Sequence, residues 1–336
     1  MISPLHIESP DPADPHVGTP QRGPLHDLFD GLERMLHALL PAANAGPHEL
    51  HQAMRCAVFP GGKRLRPRLL LVVADACANG CWEPDQIELA LRASGALELI
   101  HCASLVHDDL PSFDDAPVRR GEPTIHRAFG EPMAILAGDA LLIRAFEALG
   151  DAPASRARQA LALVRLLARA TGSVEGIIGG QSLEGTCLAD RATSSETYRY
   201  HAMKTGALFR LAAEAGARIG GAPNSDAWAD FGLWIGMAFQ LVDDLRDVHG
   251  SPGSTGKPAG RDDVLGRPNA VLAAGGQAVL ARLRSLLDAA RQRISALTSH
   301  RGALCEVIDD LLACGAALTT AADRQASSAP GRGGPP

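Results

Sequence analysis

Apolar residues return at three- and four-residue steps through almost the whole chain. Near the start, Leu25, Leu28, Phe29, Leu32, Met35, Leu36, Leu39 and Leu40 form one such stripe between Pro24 and Pro41, which places them along one face of an α-helix. The same period predicts further helices over about 48–58, 64–79, 84–109, 132–149, 154–171, 174–188, 205–219, 226–248, 268–297 and 302–325. Breaks fall at FPGGKRLRP, DLPSFDDAPVRRGEPT and HGSPGSTGKPAGRDD, which carry Gly or Pro and are also the most charged stretches. No run alternates with the period of a strand, no segment repeats and no shift in composition marks a linker. The pattern predicts an all-α fold, one large helical bundle over residues 24–325. Residues 1–23 and 326–336, rich in Pro and Gly without periodicity, are expected to be disordered.

Composition agrees. Hydrophobic residues make up 46% and charged residues 21% of 336, ordinary for a globular chain, while aromatics are only 4%. A β-sandwich or barrel would use more aromatic and β-branched residues than this Ala-, Leu-, Arg- and Glu-rich sequence. A net charge of −6 with a pI near 6.0 argues against a nucleic-acid partner. No apolar run approaches the roughly 18 to 20 residues of a transmembrane span, and the N-terminus has neither the charged nor the apolar region of a signal peptide. The expected location is the cytoplasm. Seven cysteines, an odd number without regular spacing, fit reduced and mostly buried thiols. Cys77 and Cys81 are the closest pair, yet no second pair follows at the spacing of a zinc site.

Chemistry concentrates in the aspartates. Five adjacent Asp pairs occur, at 108–109, 114–115, 243–244, 262–263 and 309–310. The pairs at 262 and 309 read as solvated surface. Asp243, Asp244 and Asp247 differ, because they end a strongly apolar helix, and a four-residue step puts Asp243 and Asp247 on one face about 6 Å apart along the axis. Like charges there destabilise an empty helix, and a hard cation would offset that cost. LIHCASLVHDDLPSFDD repeats the arrangement at the end of the helix over 84–109, where Pro111 stops regular continuation and allows Asp114 to turn back toward Asp108. Two acidic helix ends imply a shared metal site, and sparse oxygen ligands completed by phosphate favour Mg²⁺.

Cations lie beside both ends. FPGGKRLRP supplies Lys63, Arg64 and Arg66 in a glycine-opened turn, and Arg119 with Arg120 follow the first Asp cluster. Carboxylates could hold Mg²⁺ on one diphosphate while Arg and Lys grip a second, so the combination implies a diphosphate enzyme. Glu98 and His101 have the Glu-x-x-His spacing of di-iron bundles, but those need a second copy and two more inward Glu residues, and neither is found.

In these motifs the chain resembles the trans-isoprenyl diphosphate synthases, and among them the bacterial geranylgeranyl diphosphate synthases of carotenoid pathways. The resemblance rests on GGKRLRP (61–67), DDLPSFD (108–114) with RRG (119–121), MKTG (203–206) and FQLVDDLRD (239–247), in order over about residues 25–325. It implies an all-α bundle around a deep apolar cavity, a homodimer, and three Mg²⁺ ions per site with Mn²⁺ as a substitute. By the same resemblance Asp108, Asp114 and Asp243 would be metal ligands, supported by Asp109, Asp244 and Asp247. Lys63, Arg66, His101 and Arg120 would bind isopentenyl diphosphate. Arg119, Lys204, Thr205, Gln240 and Lys257 would surround the allylic diphosphate, with Lys204, Thr205 and Gln240 facing the developing cation. The implied reaction is head-to-tail condensation of isopentenyl diphosphate with an allylic diphosphate. Ala103 and Ser104, one turn beneath Asp108, would line the path of the growing chain, and a small residue at 103 favours a C20 product. A farnesyl diphosphate synthase and a non-catalytic regulatory subunit are the alternatives. Arg267 stands where many relatives have Lys.

Overall fold

The computed structural model describes residues 24–42, 44–59, 61–184, 194–249 and 269–328. Its helices are α1 (Pro24–Leu39), α2 (His48–Val58), α3 (Leu65–Ala78), α4 (Pro84–Asp108), α5 (Ile125–Phe129), α6 (Glu131–Gly150), α7 (Ala157–Thr171), α8 (Ile177–Glu184), α9 (Ser194–His201), α10 (Ala207–Ile219), α11 (Asp226–His249), α12 (Ala270–Ala274), α13 (Gly276–Leu297) and α14 (Gly302–Ser328). The fold is the all-α bundle that the periodicity predicts, and β1 (Val118–Arg119) with β2 (Glu122–Pro123) adds one two-residue hairpin. The predicted helix over 268–297 is two helices, divided at Gly275, whose φ of +82° breaks the helical path.

α4 is the axis of the bundle. Pro84 occupies its first turn, where a missing N–H costs nothing, and the Glu83 amide donates to Gln86 Oε1 at 3.3 Å. Its buried residues run all round the helix, from Leu89 and Ala90 through Leu97, Leu99 and Ile100 to Ala103 and Val106, as expected of a helix enclosed by others. Each fully buried Leu or Ile there contributes roughly 1.5–3 kcal/mol. α4 also corrects the expectation about membrane spans: by length and hydropathy it could cross a bilayer, although 72% of its apolar window is buried inside the bundle.

α6 packs along one side of α4, while α3, α10 and α11 pack in succession on another, and α13 and α14 close over α11. Close approach depends on small residues. A Cβ on Gly216 would fall 2.4 Å from the Leu70 carbonyl oxygen, and one on Gly138 2.1 Å from the His107 ring. The consequence for function is that α4, which ends at Asp108, and α11, which carries Asp243, Asp244 and Asp247 in its last two turns, are held in the same layer system around α3 and α10.

Candidate active site

α4 ends at Asp108 because Pro111, three residues on, has no N–H to donate and its ring would strike a preceding carbonyl. The chain folds back instead. Asp114 N donates to the Asp108 carbonyl at 2.9 Å, Asp115 N to Leu110 at 3.0 Å and Ala116 N to Asp109 at 3.2 Å, so Asp114 returns to the helix end. Asp109 is buried and held by a fork from Arg119, with Nε 2.7 Å from Oδ2 and Nη2 2.6 Å from Oδ1. Arg119 also lies 3.9 Å from Asp108. Burial alone would lower the pKa of Arg119, but the bonds to Asp109 and the charges of Asp108 and Asp114 raise it above the ordinary value.

The MKTG segment joins the two acidic helix ends. Between α9 and α10, residues Ala202–Gly206 form one wider, π-type turn, a distortion common at functional sites. It sends neighbouring side chains to different partners. Lys204 Nζ lies 3.5 Å from Asp108 and 2.7 Å from Glu184, whereas Thr205 Oγ1 donates to Gln240 Oε1 of α11 at 2.5 Å. Gln240 Nε2 then donates to Asp244 at 2.8 Å, and Asp244 also accepts from the Ala270 amide at 2.9 Å. Asp244 is thereby buried and anchored, while Asp243 has a side chain 56% exposed with Arg246 at 3.2 Å.

The third part is basic. Arg119 and Arg120 sit on the hairpin, whose turn has φ of +55° at Arg120 and +87° at Gly121, the mirror-image turn that matches strand twist. Arg120 bears the cost of a left-handed backbone, as does Arg64 at φ +49°. Arg66 stacks over Phe209 at 4.7 Å, and its Nη1 is 3.4 Å from His101 Nε2. Burial pushes Arg66 down to about 10, against the pull of Glu98 and Asp243 and with the repulsion of Arg120. Burial, then Arg66, Arg120, Arg119 and Arg64, hold His101 well below its ordinary 6.5, so it is neutral. Lys63 is exposed but also lowered, by partial burial and then by Arg246. Such a crowd of like charges is built for an anion.

The structure separates residues that the sequence grouped together. Arg64 turns inward, 2.7 Å from Glu98 and 2.9 Å from Glu33. Glu98 is thus the counter-ion of Arg64, which accounts for it without di-iron chemistry. Asp309 pairs with Arg291 on the surface. Cys56 and Cys81 are exposed, a correction to the expectation of mostly buried thiols. Lys257, Arg267 and Asp262–Asp263 lie outside the described residues. Ala103 is fully buried and Ser104 partly open, its Oγ donating to the His101 carbonyl at 2.7 Å.

Three participants were not foreseen. Glu184 is buried and accepts from Lys204, from Tyr200 at 2.9 Å and from Gln181 at 2.6 Å, and Gln181 also donates to Asp108 at 2.9 Å. The available signal was GGQSLE, two polar residues three apart after a glycine pair in an apolar stretch.

Among the described residues no three Asp, Glu, His or Cys side chains converge as a metal cage. The donor set nevertheless suits Mg²⁺. Carboxylate oxygens from two separate helices could hold such a hard cation with water and phosphate completing its shell.

An all-α bundle that carries aspartates in the C-terminal turns of two long helices, with arginines beside them, has the architecture of the isoprenoid synthases. The polyprenyl synthetase family model matches residues 47–314, and the chain belongs to that family, whose members are prenyltransferases working with a divalent metal. The chain is 46% identical over 264 residues to a geranylgeranyl diphosphate synthase of Cereibacter sphaeroides, covering 77% of this chain and 88% of that one. It is 40% identical over 221 residues to a farnesyl diphosphate synthase of Geobacillus stearothermophilus, covering 65% and 72%. A geranyltransferase from Helicobacter pylori, solved with magnesium and isoprenyl diphosphate, superposes with a TM-score of 0.72 at 27% identity, covering 90% of this chain and 100% of that one.

Proposed function

We propose that the protein condenses isopentenyl diphosphate with an allylic diphosphate and releases geranylgeranyl diphosphate. One observation carries this reading: a basic cluster of Arg66, Arg119 and Arg120 around neutral His101 lies beside an acidic cluster that Lys204 and Thr205 connect to α11. One anion site is basic and direct, and the other needs cations between carboxylate and phosphate, so the two diphosphates are told apart by charge.

Asp108, Asp114 and Asp243 are the metal ligands in this reading. Asp109, held by Arg119, and Asp244, held by Gln240 and the Ala270 amide, keep the ligand-bearing helix ends in place, and Asp247 supports Asp243. These residues would hold Mg²⁺, expected as three ions with Mn²⁺ as a substitute, which when bound would supply positive charge for the leaving diphosphate. Arg119, Lys204 and Lys257 bind that diphosphate. As the allylic C–O bond ionises, the Thr205 and Gln240 oxygens stand beside the developing cation. Lys63, Arg66, His101 and Arg120 hold isopentenyl diphosphate so that its double bond attacks C1 of that cation. The proton released on forming the new double bond goes to the departing diphosphate, so no protein nucleophile is required.

The C20 product is supported by the small side chains of Ala103 and Ser104 below Asp108, where an aromatic residue would shorten the tunnel. Similarity to farnesyl diphosphate synthases keeps a C15 product as the second reading. A homodimer is supported by apolar residues left exposed on α6, namely Ile135, Leu136 and Ile143. The free thiols of Cys56 and Cys81 suit the cytoplasm. The test is incorporation of labelled isopentenyl diphosphate by the purified chain alone, which must require both an allylic diphosphate and a divalent ion. Turnover only after adding a second synthase subunit would support a regulatory role instead.

A further inference from the structure

Arg64 is the one arginine of the GGKRLRP turn that points away from the basic cluster. Its guanidinium is buried and makes three bonds to three different elements: Nε to Glu33 of α1 at 2.9 Å, Nη1 to Glu98 of α4 at 2.7 Å, and Nη2 to the Val58 carbonyl closing α2 at 3.0 Å. The turn wraps this group, since a Cβ on Gly61 would fall 3.1 Å from Nη2. Glu98 is 2% exposed, and it accepts from Arg64 and from the Cys102 thiol at 3.9 Å.

We infer that Arg64 and Glu98 form a positioning pair that sets the affinity for isopentenyl diphosphate. The inference rests on the proposed assignment of the basic cluster to that substrate. Lys63 precedes Arg64 and Arg66 follows two residues later, while His101 lies three residues beyond Glu98 on α4. The pair therefore fixes the turn that carries two contacts against the helix that carries a third. The 3.4 Å approach of Arg66 to His101 is the point at which the two meet. Neither Arg64 nor Glu98 touches the proposed substrate position, so their effect passes through geometry.

A purely electrostatic bystander would behave in the opposite way. Neutralising Glu98 removes a negative charge that acts on Arg66, leaves the cluster more positive, and by itself would tighten an anion. The positioning role predicts weaker binding.

The test uses the full chain with Glu98→Gln and Arg64→Lys, measuring isopentenyl diphosphate binding by calorimetry and steady-state rates against each substrate. Glu98→Gln should keep its circular dichroism, raise the KM for isopentenyl diphosphate by about tenfold or more, and change kcat and the KM for farnesyl diphosphate by less than about threefold. Arg64→Lys, which keeps the charge but loses the fork, should show the same selectivity to a smaller degree. A folded Glu98→Gln enzyme with unchanged or lower KM overturns the inference. Equal losses for both substrates overturn it too, because they mark general destabilisation; should Glu98→Gln fail to fold, Arg64→Lys decides by the same criteria. A wild-type chain that does not bind isopentenyl diphosphate overturns the site assignment itself, a result that is distinguishable from normal wild-type binding with unaffected variants.

Discussion

Gly62→Ala isolates the seat of Arg120. A Cβ built on Gly62 lies 2.8 Å from both Cζ and Nη2 of Arg120 and 3.2 Å from Nε. Ordinary contact between such atoms is about 3.5–4.0 Å, so the guanidinium must withdraw by about 1 Å. The backbone itself accepts alanine, because Gly61, at φ +83°, is in the left-handed region and Gly62 is not. The obstruction is the far end of a flexible side chain, so the fold adjusts and Tm should move by less than about 3 °C. Misplacement by about 1 Å can cost up to 10²-fold, and a retreating arginine recovers part of it. The expected result is a rise of about tenfold in the KM for isopentenyl diphosphate, about 1.4 kcal/mol, with kcat nearly unchanged. Initial rates at saturating farnesyl diphosphate and varied isopentenyl diphosphate measure this. Arg120→Ala should raise the same KM further, and adding Gly62→Ala to it should have no extra effect. An unchanged KM in Gly62→Ala, or full additivity in the double variant, would refute the contact as the cause.

Three further outcomes are expected. Chelation by EDTA should abolish turnover and excess Mg²⁺ should restore it, while Asp108→Ala and Asp243→Ala should each lower kcat by about 10³ or more; activity in EDTA would exclude a metal role for these residues. Lys204→Ala should lower kcat by about 10²-fold and leave the KM for isopentenyl diphosphate within about twofold, as transient kinetics of diphosphate release would detect. Ala103→Tyr should shift the product from C20 toward C15 with ionisation largely intact, checked by chromatography of the dephosphorylated products; continued C20 formation would place the floor of the tunnel elsewhere.

Much of the bundle was readable because helix periodicity is a local property. The stripe from Leu25 to Leu40 corresponds to α1, since a one-sided apolar period needs no knowledge of partners, and the run over 84–109 corresponds to α4, a long apolar-rich stretch of helix formers between Pro84 and Pro111. The short helices and the hairpin were not readable in this way. α5 has five residues, too few for a period, and β1–β2 exists because Arg120 and Gly121 take left-handed angles. The acidic helix ends announced themselves through like charges at unfavourable spacing. The direction of Arg64 did not: it shares its turn with Lys63 and Arg66, and the acceptors that turn it inward, Glu98, Glu33 and the Val58 carbonyl, come from three other helices. Glu184 was hidden for a similar reason, because a single carboxylate in an apolar helix acquires meaning only when Lys204, Tyr200 and Gln181 arrive from other parts of the chain.

The product made by the purified wild-type chain tests the central claim most directly. Incubated with Mg²⁺, labelled isopentenyl diphosphate and either geranyl or farnesyl diphosphate, the chain should add units until a C20 diphosphate accumulates, and farnesyl diphosphate should be consumed as a substrate. Accumulation of C15 with farnesyl diphosphate left untouched would contradict the C20 reading, and no incorporation of label from any allylic starter would contradict the condensation itself.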